Sequence, residues 1–164
     1  MTQVLAGHPA PTFTLPGLHG LPLALADALK KGPVIAAFFK ISCPVCQFTF
    51  PFLERLHGAY GGKGVSFWAI SQDSARDTKE FCLEYGITFP ALTDGDGYPV
   101  SNEYGLTTVP TILLIAPDGQ VQVSSVGFVK ADLESISAKL GRHLGQSPAA
   151  VFAPGEVVPD YKPG

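Results

Sequence analysis

The sequence has little charge, few basic residues and no long apolar run. Charged residues fill only 15% of the 164 positions and hydrophobic residues fill 46%, so disorder along the whole chain is not expected. The formal net charge is −3 and basic residues do not cluster, which argues against a nucleic-acid partner. Apolar runs such as PVIAAFF are far too short to cross a bilayer, so no membrane partner is expected.

The N-terminus also lacks the basic stretch and the continuous apolar segment of a secretory signal. We therefore expect a cytoplasmic protein, unless an export signal has been removed from the chain. The length fits one domain, which we expect to be a monomer. Three cysteines are too few for a disulfide framework, and an odd number that includes one close pair indicates reactivity or metal binding instead.

Patterning along the chain predicts alternating strands and helices. The Pro- and Gly-rich residues 1–32 predict an N-terminal extension of two short strands, joined by a turn at Gly17 to Gly20 and followed by a helical turn. Continuous apolar segments at 33–40 and 65–71 are typical of strands buried on both faces of a parallel sheet. Helical spacing predicts a first helix that begins at Cys43 and is ended by Gly58 and the following GGKG. A second helix is predicted between the N-cap candidate Ser74 and the stop at Gly86, and a third over residues 130–145.

The C-terminal half adds a hairpin and an irregular tail. A turn at Pro117-Asp118-Gly119 joins an apolar strand to an alternating one, which predicts an antiparallel part of the sheet. The whole pattern predicts an α/β fold with a central mixed β-sheet flanked by helices. We expect residues 1–146 to form this domain and residues 147–164, which have no periodicity, to form an irregular tail.

Cys43 and Cys46 stand two residues apart, after a predicted strand and at the start of a predicted helix. A structural zinc site needs four ligands, and His57 would lie roughly 16 Å along the helix from Cys46, so zinc is a minor interpretation. A structural disulfide would close a very small loop and stabilise the fold little. A helix N-terminus favours a thiolate, so a third interpretation makes Cys43 a nucleophile and Cys46 the thiol that resolves its mixed disulfides.

A proline also stands at the start of a predicted strand, in Val109-Pro110. If this bond is cis, the chain turns there and offers the Val109 amide and carbonyl to an incoming extended peptide. A trans proline at the start of a strand is the commoner arrangement, and the sequence alone leaves both open.

Together these features resemble the thioredoxin superfamily. Cys43-Pro44-Val45-Cys46 resembles its Cys-x-x-Cys motif, Val109-Pro110-Thr111 resembles its cis-proline loop, and Pro51 stands where members carry a helix-kinking proline. AGHPAPTFTLPGLHG and APDGQV resemble the redoxin branch, which includes peroxiredoxins and membrane-tethered thioredoxin-like reductants. The resemblance covers about residues 4–145.

The resemblance implies a thioredoxin fold with an N-terminal β-hairpin extension and thiol-disulfide exchange with other proteins, in which Cys43 attacks and Cys46 resolves. Protein disulfides or dithiols would be the substrates, and an upstream dithiol reductant or oxidant would be the second partner. No organic cofactor and no metal are implied. Substrates would dock against two short segments that flank the sulfur: Ser42, Pro44 and Val45 in one, and Val109, Pro110 and Thr111 in the other.

The chain departs from the family pattern at several positions. Ser42 replaces the usual Trp, and Ala37 replaces a buried acid, so Cys46 must lose its proton to water or another group. Lys40 either tunes the pKa of the neighbouring thiol or points into solvent. Ala36 and Lys40 stand where peroxiredoxins place a peroxide-binding Pro and Thr, which makes thiol peroxidase a minority alternative. A non-enzymatic binding module is a second alternative, and the direction of electron flow stays open.

Overall fold

The computed structural model describes residues 2–164 and begins with the expected N-terminal extension. Strands β1 (Thr14–Pro16) and β2 (Pro22–Ala24) pair antiparallel and lead into the short helix α1 (Leu25–Leu29). Isolated bridges from Pro9 to Gln120 and from Gly17 to Leu92 fasten the extension to the rest of the domain.

A five-stranded mixed sheet forms the centre of the molecule, as predicted. Its strands are β3 (Val34–Phe39), β4 (Ser66–Ser71), β5 (Ala91–Thr93), β6 (Thr111–Ile115) and β7 (Val121–Val126). They lie in the order β5-β4-β3-β6-β7, with β3, β4 and β5 parallel and β6 antiparallel to both β3 and β7. All six residues of β3 are buried, which explains their continuous apolar sequence.

Four further helices flank the sheet: α2 (Pro44–Tyr60), α3 (Ala75–Tyr85), α4 (Pro99–Glu103) and α5 (Lys130–Leu144). Helix α3 has its predicted ends, since the Ser74 side chain accepts from the Asp77 amide and Gly86 adopts a left-handed φ of 69°. Within residues 2–164, none of the helices is both long and apolar enough to cross a bilayer.

The predicted stop of α2 at Gly58 is wrong. The helix continues through Gly58 to Tyr60 and ends at Gly61. Leu56 and Tyr60 are both buried on its last turns, and this burial outweighs the cost of one helical glycine, about 1 kcal/mol. Only the GGKG part of the predicted stop signal is therefore used.

The core lies on both faces of the sheet. On one face, phenylalanines of β3, α2 and α3 pack together, and Phe39 lies 4.5 Å from Phe50 between ring centroids. On the other face, Phe13 of the extension packs edge-on against Trp68 and Tyr104. The sheet is thus fixed from two sides, and the carboxyl end of β3 is held between them.

We call residues 147–164 the C-terminal strap. It was expected to be irregular, and most of it has neither helix nor strand. However, Tyr161–Lys162 form a strand, β9, that pairs antiparallel with β8 (Phe128–Val129) directly after β7. A short strand with unpaired backbone groups offers a template for such pairing, and that template lies more than 30 residues away in the sequence.

Candidate active site

The turn from β3 to α2 places the first cysteine at a helix N-terminus. Cys43 is the N-cap of α2 with an extended backbone, and its Sγ accepts a hydrogen bond from the Cys46 amide at 3.2 Å. Pro44 occupies the first helical turn, where its missing N–H costs nothing. The Cys43 sulfur therefore lies at the N-terminal, positive end of the α2 helix dipole.

The two sulfurs of the motif differ in exposure. Both cysteines are free thiols; Cys43 is partly exposed, whereas Cys46 is 0% exposed. Burial is the main cause that raises the pKa of Cys46 far above its usual value, and the hydrogen bond with Cys43 adds to it. Cys46 is accordingly held as a protonated thiol beneath a more accessible sulfur.

The proline loop lies directly beside the first cysteine. The Val109-Pro110 peptide bond is cis, which is the arrangement that the family resemblance implied. The Cys43 thiol is placed to donate to the Val109 carbonyl oxygen, with 3.5 Å between sulfur and oxygen. The structure thus brings together two motifs that are 66 residues apart in the chain.

The predicted docking residues divide by exposure. Ser42 and Pro44 are exposed, and Val45 and Val109 are partly exposed. Pro110 is buried and Thr111, the first residue of β6, is 0% exposed. Their side chains lie beneath the surface, so a partner on this side would meet Val109 rather than Pro110 or Thr111.

Lys40 lies at the end of β3, three residues before the nucleophile candidate. Its Nζ lies over the ring of Tyr98, 5.6 Å from the centroid, and the residue is partly buried. The ammonium therefore faces an aromatic ring rather than bulk solvent alone, and an effect of Lys40 on Cys43 stays a prediction.

Sequence reasoning missed two residues that hold the loop before Cys43. The Ile41 amide donates to a carboxylate oxygen of Asp73 at 2.8 Å, and the Gln47 side-chain amide donates to the Ile41 carbonyl at 2.9 Å. The negative charge of Asp73 is also one of the smaller causes that raise the pKa of Cys46. A usable signal existed, because Asp73 follows β4 and the carboxyl ends of parallel β3 and β4 meet at one edge of the sheet.

A third missed feature is the end of the strap. Gly164 lies against the Val109 carbonyl, and the Lys162 ammonium lies 4.7 Å from the centroid of the Phe48 ring on α2. Nothing in the sequence pattern of the strap indicated this position.

As to metals, residues 2–164 contain no group of three or more His, Cys, Asp or Glu side chains arranged to hold an ion.

Comparisons with known proteins agree with this arrangement. The AhpC/TSA family model matches residues 6–124. Thiol-disulfide oxidoreductase ResA of Halalkalibacterium halodurans is 33% identical over 131 residues, covering 79% of this chain and 73% of the relative. ResA of Bacillus thuringiensis is 32% identical over 136 residues, covering 82% and 78% respectively.

Solved structures show the same fold. A protein assigned as thiol:disulfide interchange protein DsbE from Chlorobium tepidum superposes with a TM-score of 0.76 at 29% identity, covering 87% of this chain and all of that one. A secreted Mycobacterium tuberculosis disulfide oxidoreductase superposes with a TM-score of 0.63 at 25% identity, covering 79% and 95%. The chain therefore belongs to the AhpC/TSA family, as a thiol-disulfide oxidoreductase with a thioredoxin fold.

Proposed function

We propose that Cys43 and Cys46 are the redox couple of this oxidoreductase, with Cys43 as the nucleophile and Cys46 as the resolving thiol. The observation that carries the proposal is the position of the Cys43 sulfur, which caps α2 and lies 3.5 Å from the Val109 carbonyl oxygen. A substrate sulfur that approaches Cys43 would therefore pass beside the partly exposed Val109 of the proline loop.

In the direction of substrate reduction, the Cys43 thiolate attacks one sulfur of a partner disulfide. A bond forms between Cys43 and that sulfur, and the second partner sulfur leaves as a thiolate. The Cys46 thiolate then attacks the Cys43 sulfur, releases the first partner sulfur and closes the Cys43–Cys46 disulfide. Two electrons pass from the protein to the partner. Each step is reversible, and the reduction potentials of the two dithiols set the net direction.

The proton of Cys46 must leave before the second step. Ala37, at the position of the acid found in relatives of the thioredoxin type, is 1% exposed and has no group that accepts a proton. The partner's leaving thiolate is a base produced in the first step beside the site. The Cys46 proton can pass to this thiolate directly or through water, so the exchange needs no protein carboxylate as the proton acceptor.

Partner proteins would dock as an extended segment between Ser42 to Val45 and Val109. The Val109 carbonyl offers such a segment a backbone hydrogen bond, as in strand addition. A second dithiol protein, acting as an upstream reductant or oxidant, would return the couple to its starting state. We propose that the protein acts as a monomer, which light scattering on the purified chain would test.

The cytoplasmic location expected from the sequence stays a prediction. One structural relative is a secreted protein, at 25% identity. Fractionation of cells that express the protein from its native gene would decide between the two compartments.

The enzymatic proposal is tested by insulin-disulfide reduction with dithiothreitol. The wild type should accelerate the reaction and Cys43→Ser should abolish the acceleration, while Cys82→Ser, away from the motif, should retain it. Peroxide consumption should stay near background; rapid consumption would favour the thiol peroxidase alternative. If the wild type turns over neither substrate, the binding-module alternative replaces this proposal.

A further inference from the structure

The C-terminal strap lies outside the family match at residues 6–124, yet it is tied to the helix that carries the cysteines. The hydroxyl of the buried Tyr60 on α2 accepts from the Ala149 amide at 2.7 Å and lies 2.9 Å from Ser137 of α5. The Ser137 hydroxyl donates to the Ala149 carbonyl at 2.6 Å. A buried polar triangle therefore fixes the beginning of the strap to two helices.

A second anchor holds the middle of the strap. Arg55 of α2 forms two hydrogen bonds to the Glu156 carboxylate, at 2.7 and 2.9 Å, and a third to the Val151 carbonyl at 3.0 Å. Val151 is 4% exposed, and the Phe152 ring lies 5.1 Å from that of Phe52. The strap thus has an apolar contact of its own beside a bidentate ion pair.

A third anchor directs the strap to the active site. The Lys130 amide donates to the Asp160 carbonyl at 2.9 Å, and β9 pairs with β8 immediately beyond. Gly127 lies so close to the backbone of β9 that a Cβ added at Gly127 would overlap the Lys162 carbonyl. The path of the chain is therefore determined up to Lys162.

The last residues then reach the proline loop. A Cβ added at Gly164 would overlap the Val109 carbonyl oxygen and the Thr108 methyl group. That same carbonyl oxygen lies 3.5 Å from the Cys43 sulfur. Gly164 and the Cys43 sulfur therefore both lie against the Val109 carbonyl, the group that an incoming segment would use.

We propose that residues 161–164 are a specificity element that partly covers the Val109 side of the docking groove and limits it to disulfides on narrow, flexible segments. The inference rests on the proposed docking beside Val109. Because the strap is anchored at residues 149–156, an incoming partner must fit beside residues 161–164 or displace them. Bulky partners would meet the strap before their disulfide reached Cys43.

The test compares the full chain with a chain that ends at Pro159, which keeps the first two anchors. Cys43 is labelled with iodoacetamide and with a polyethylene-glycol maleimide, and its modification is read by peptide mass spectrometry. The shorter chain should react faster with the bulky reagent by about threefold or more, the scale of one net backbone hydrogen bond, and equally with the small one. Insulin reduction should rise by a similar factor.

A second pair of variants keeps the full length. Gly127→Ala pushes against the Lys162 carbonyl, whereas Gly119→Ala introduces a similar left-handed strain, at φ 88° against 77°, with no atom within 4 Å. Only Gly127→Ala should raise the rate ratio of bulky to small reagent. An unchanged ratio in both the shortened chain and Gly127→Ala would overturn the strap inference, whether or not the wild type reduces insulin. A different result is that the wild type fails to reduce insulin while the shortened chain and Gly127→Ala still show a raised rate ratio of bulky to small reagent. That result would contradict the proposed function and leave the strap inference intact.

Discussion

At the scale of single residues, the two sulfurs of the motif have opposite environments. Cys43 is partly exposed and caps a helix, whereas Cys46 is 0% exposed and donates its backbone amide to the Cys43 sulfur. Burial raises the pKa of the Cys46 thiol, whereas the Cys43 sulfur can be reached from solvent. A partner disulfide therefore meets Cys43 first, and Cys46 remains a protonated thiol until the second step.

The first prediction concerns the pH dependence of the resolving step. Desolvation raises the pKa of Cys46, and only its thiolate attacks, so the thiolate fraction grows with pH throughout the neutral range. Release of glutathione from glutathionylated Cys43 should therefore accelerate about tenfold per pH unit from about pH 7 to 9. Single-turnover mass spectrometry measures this rate, with Cys46→Ser as the control that releases none. A rate that is flat with pH would contradict the raised pKa of Cys46, and release of glutathione by Cys46→Ser would contradict its role as the resolving thiol.

A second prediction concerns Asp73 as a positioning residue. Its carboxylate accepts from the Ile41 amide at 2.8 Å and so fixes the loop that leads to Cys43. Asp73→Ala should lower kcat/KM for insulin reduction roughly tenfold, because a misplaced nucleophile costs orientation. Asp73→Asn retains an acceptor oxygen and should stay near wild type. Equal losses in the two variants would show that the charge matters and the hydrogen bond does not.

At the scale of elements, α2 connects the active site to the C-terminal strap. Cys43 caps its N-terminus and Cys46 lies in its first turn, while its later turns carry Arg55 and Tyr60, which bind the strap. The strap is therefore not a separate appendage, because it packs on the same helix that positions the two cysteines.

The third prediction uses the charge of one strap residue. Hydrogen bonding to Arg55 lowers the pKa of Glu156 to about 2 from its usual 4.5. A lowered pKa means that this anchor is fully present above about pH 4.5 and is lost as the pH falls through about 2. Hydrogen-exchange protection of residues 149–156 should fall over that acidic range.

The matching variant is Glu156→Gln, which should lower this protection already at neutral pH and flatten its acid dependence. Glu134→Gln, at an exposed position on α5, is the control and should behave as the wild type. If Glu156→Gln leaves both the protection and its pH profile unchanged, the ion pair does not hold the strap.

Elements with local signals were predictable from the sequence. The apolar run of β3 and the cap and stop residues of α3, Ser74 and Gly86, act within a few positions of where they stand. Gly58 misled because its effect is overridden by the burial of Tyr60, which depends on residues far along the chain.

The residues of the candidate site also divide into those with a local sequence signal and those without one. The cysteine pair and Val109-Pro110 were found because each is a compact motif. Asp73 was missed although its place after β4, next to the carboxyl end of the parallel strand β3, was a usable signal. Gly164 could not be found, since its importance lies only in a contact with Val109 across the fold. No periodicity in the strap indicates where it packs.

At the scale of the whole molecule, two additions surround one sheet. The N-terminal extension covers one face through Phe13 and joins β5 through Gly17, while the strap follows α2 on the other face. Between the extension and α3 lies an apolar pocket of about 420 Å³ lined by Leu21, Cys82 and Leu83, among others.

The fourth prediction uses Cys82, which borders this pocket and is 9% exposed. Burial raises the pKa of its thiol to about 11 from 9.0. The unfolded chain loses the Cys82 proton at a lower pH than the folded chain does. The contribution of this thiol to stability is therefore complete below about pH 9 and is lost as the pH rises towards about 11. Unfolding free energy should fall over this range, with a smaller slope in Cys82→Ala; equal slopes in urea titrations would contradict the assignment.

The central claim is that Cys43 attacks a partner disulfide beside the proline loop, and trapping the mixed disulfide tests it most directly. Removing the resolving thiol in Cys46→Ser should leave a covalent complex with a reducible protein substrate such as insulin. Peptide mass spectrometry should place the linkage on Cys43, and dithiothreitol should release it. Absence of a complex, or a linkage through Cys82, would contradict the account.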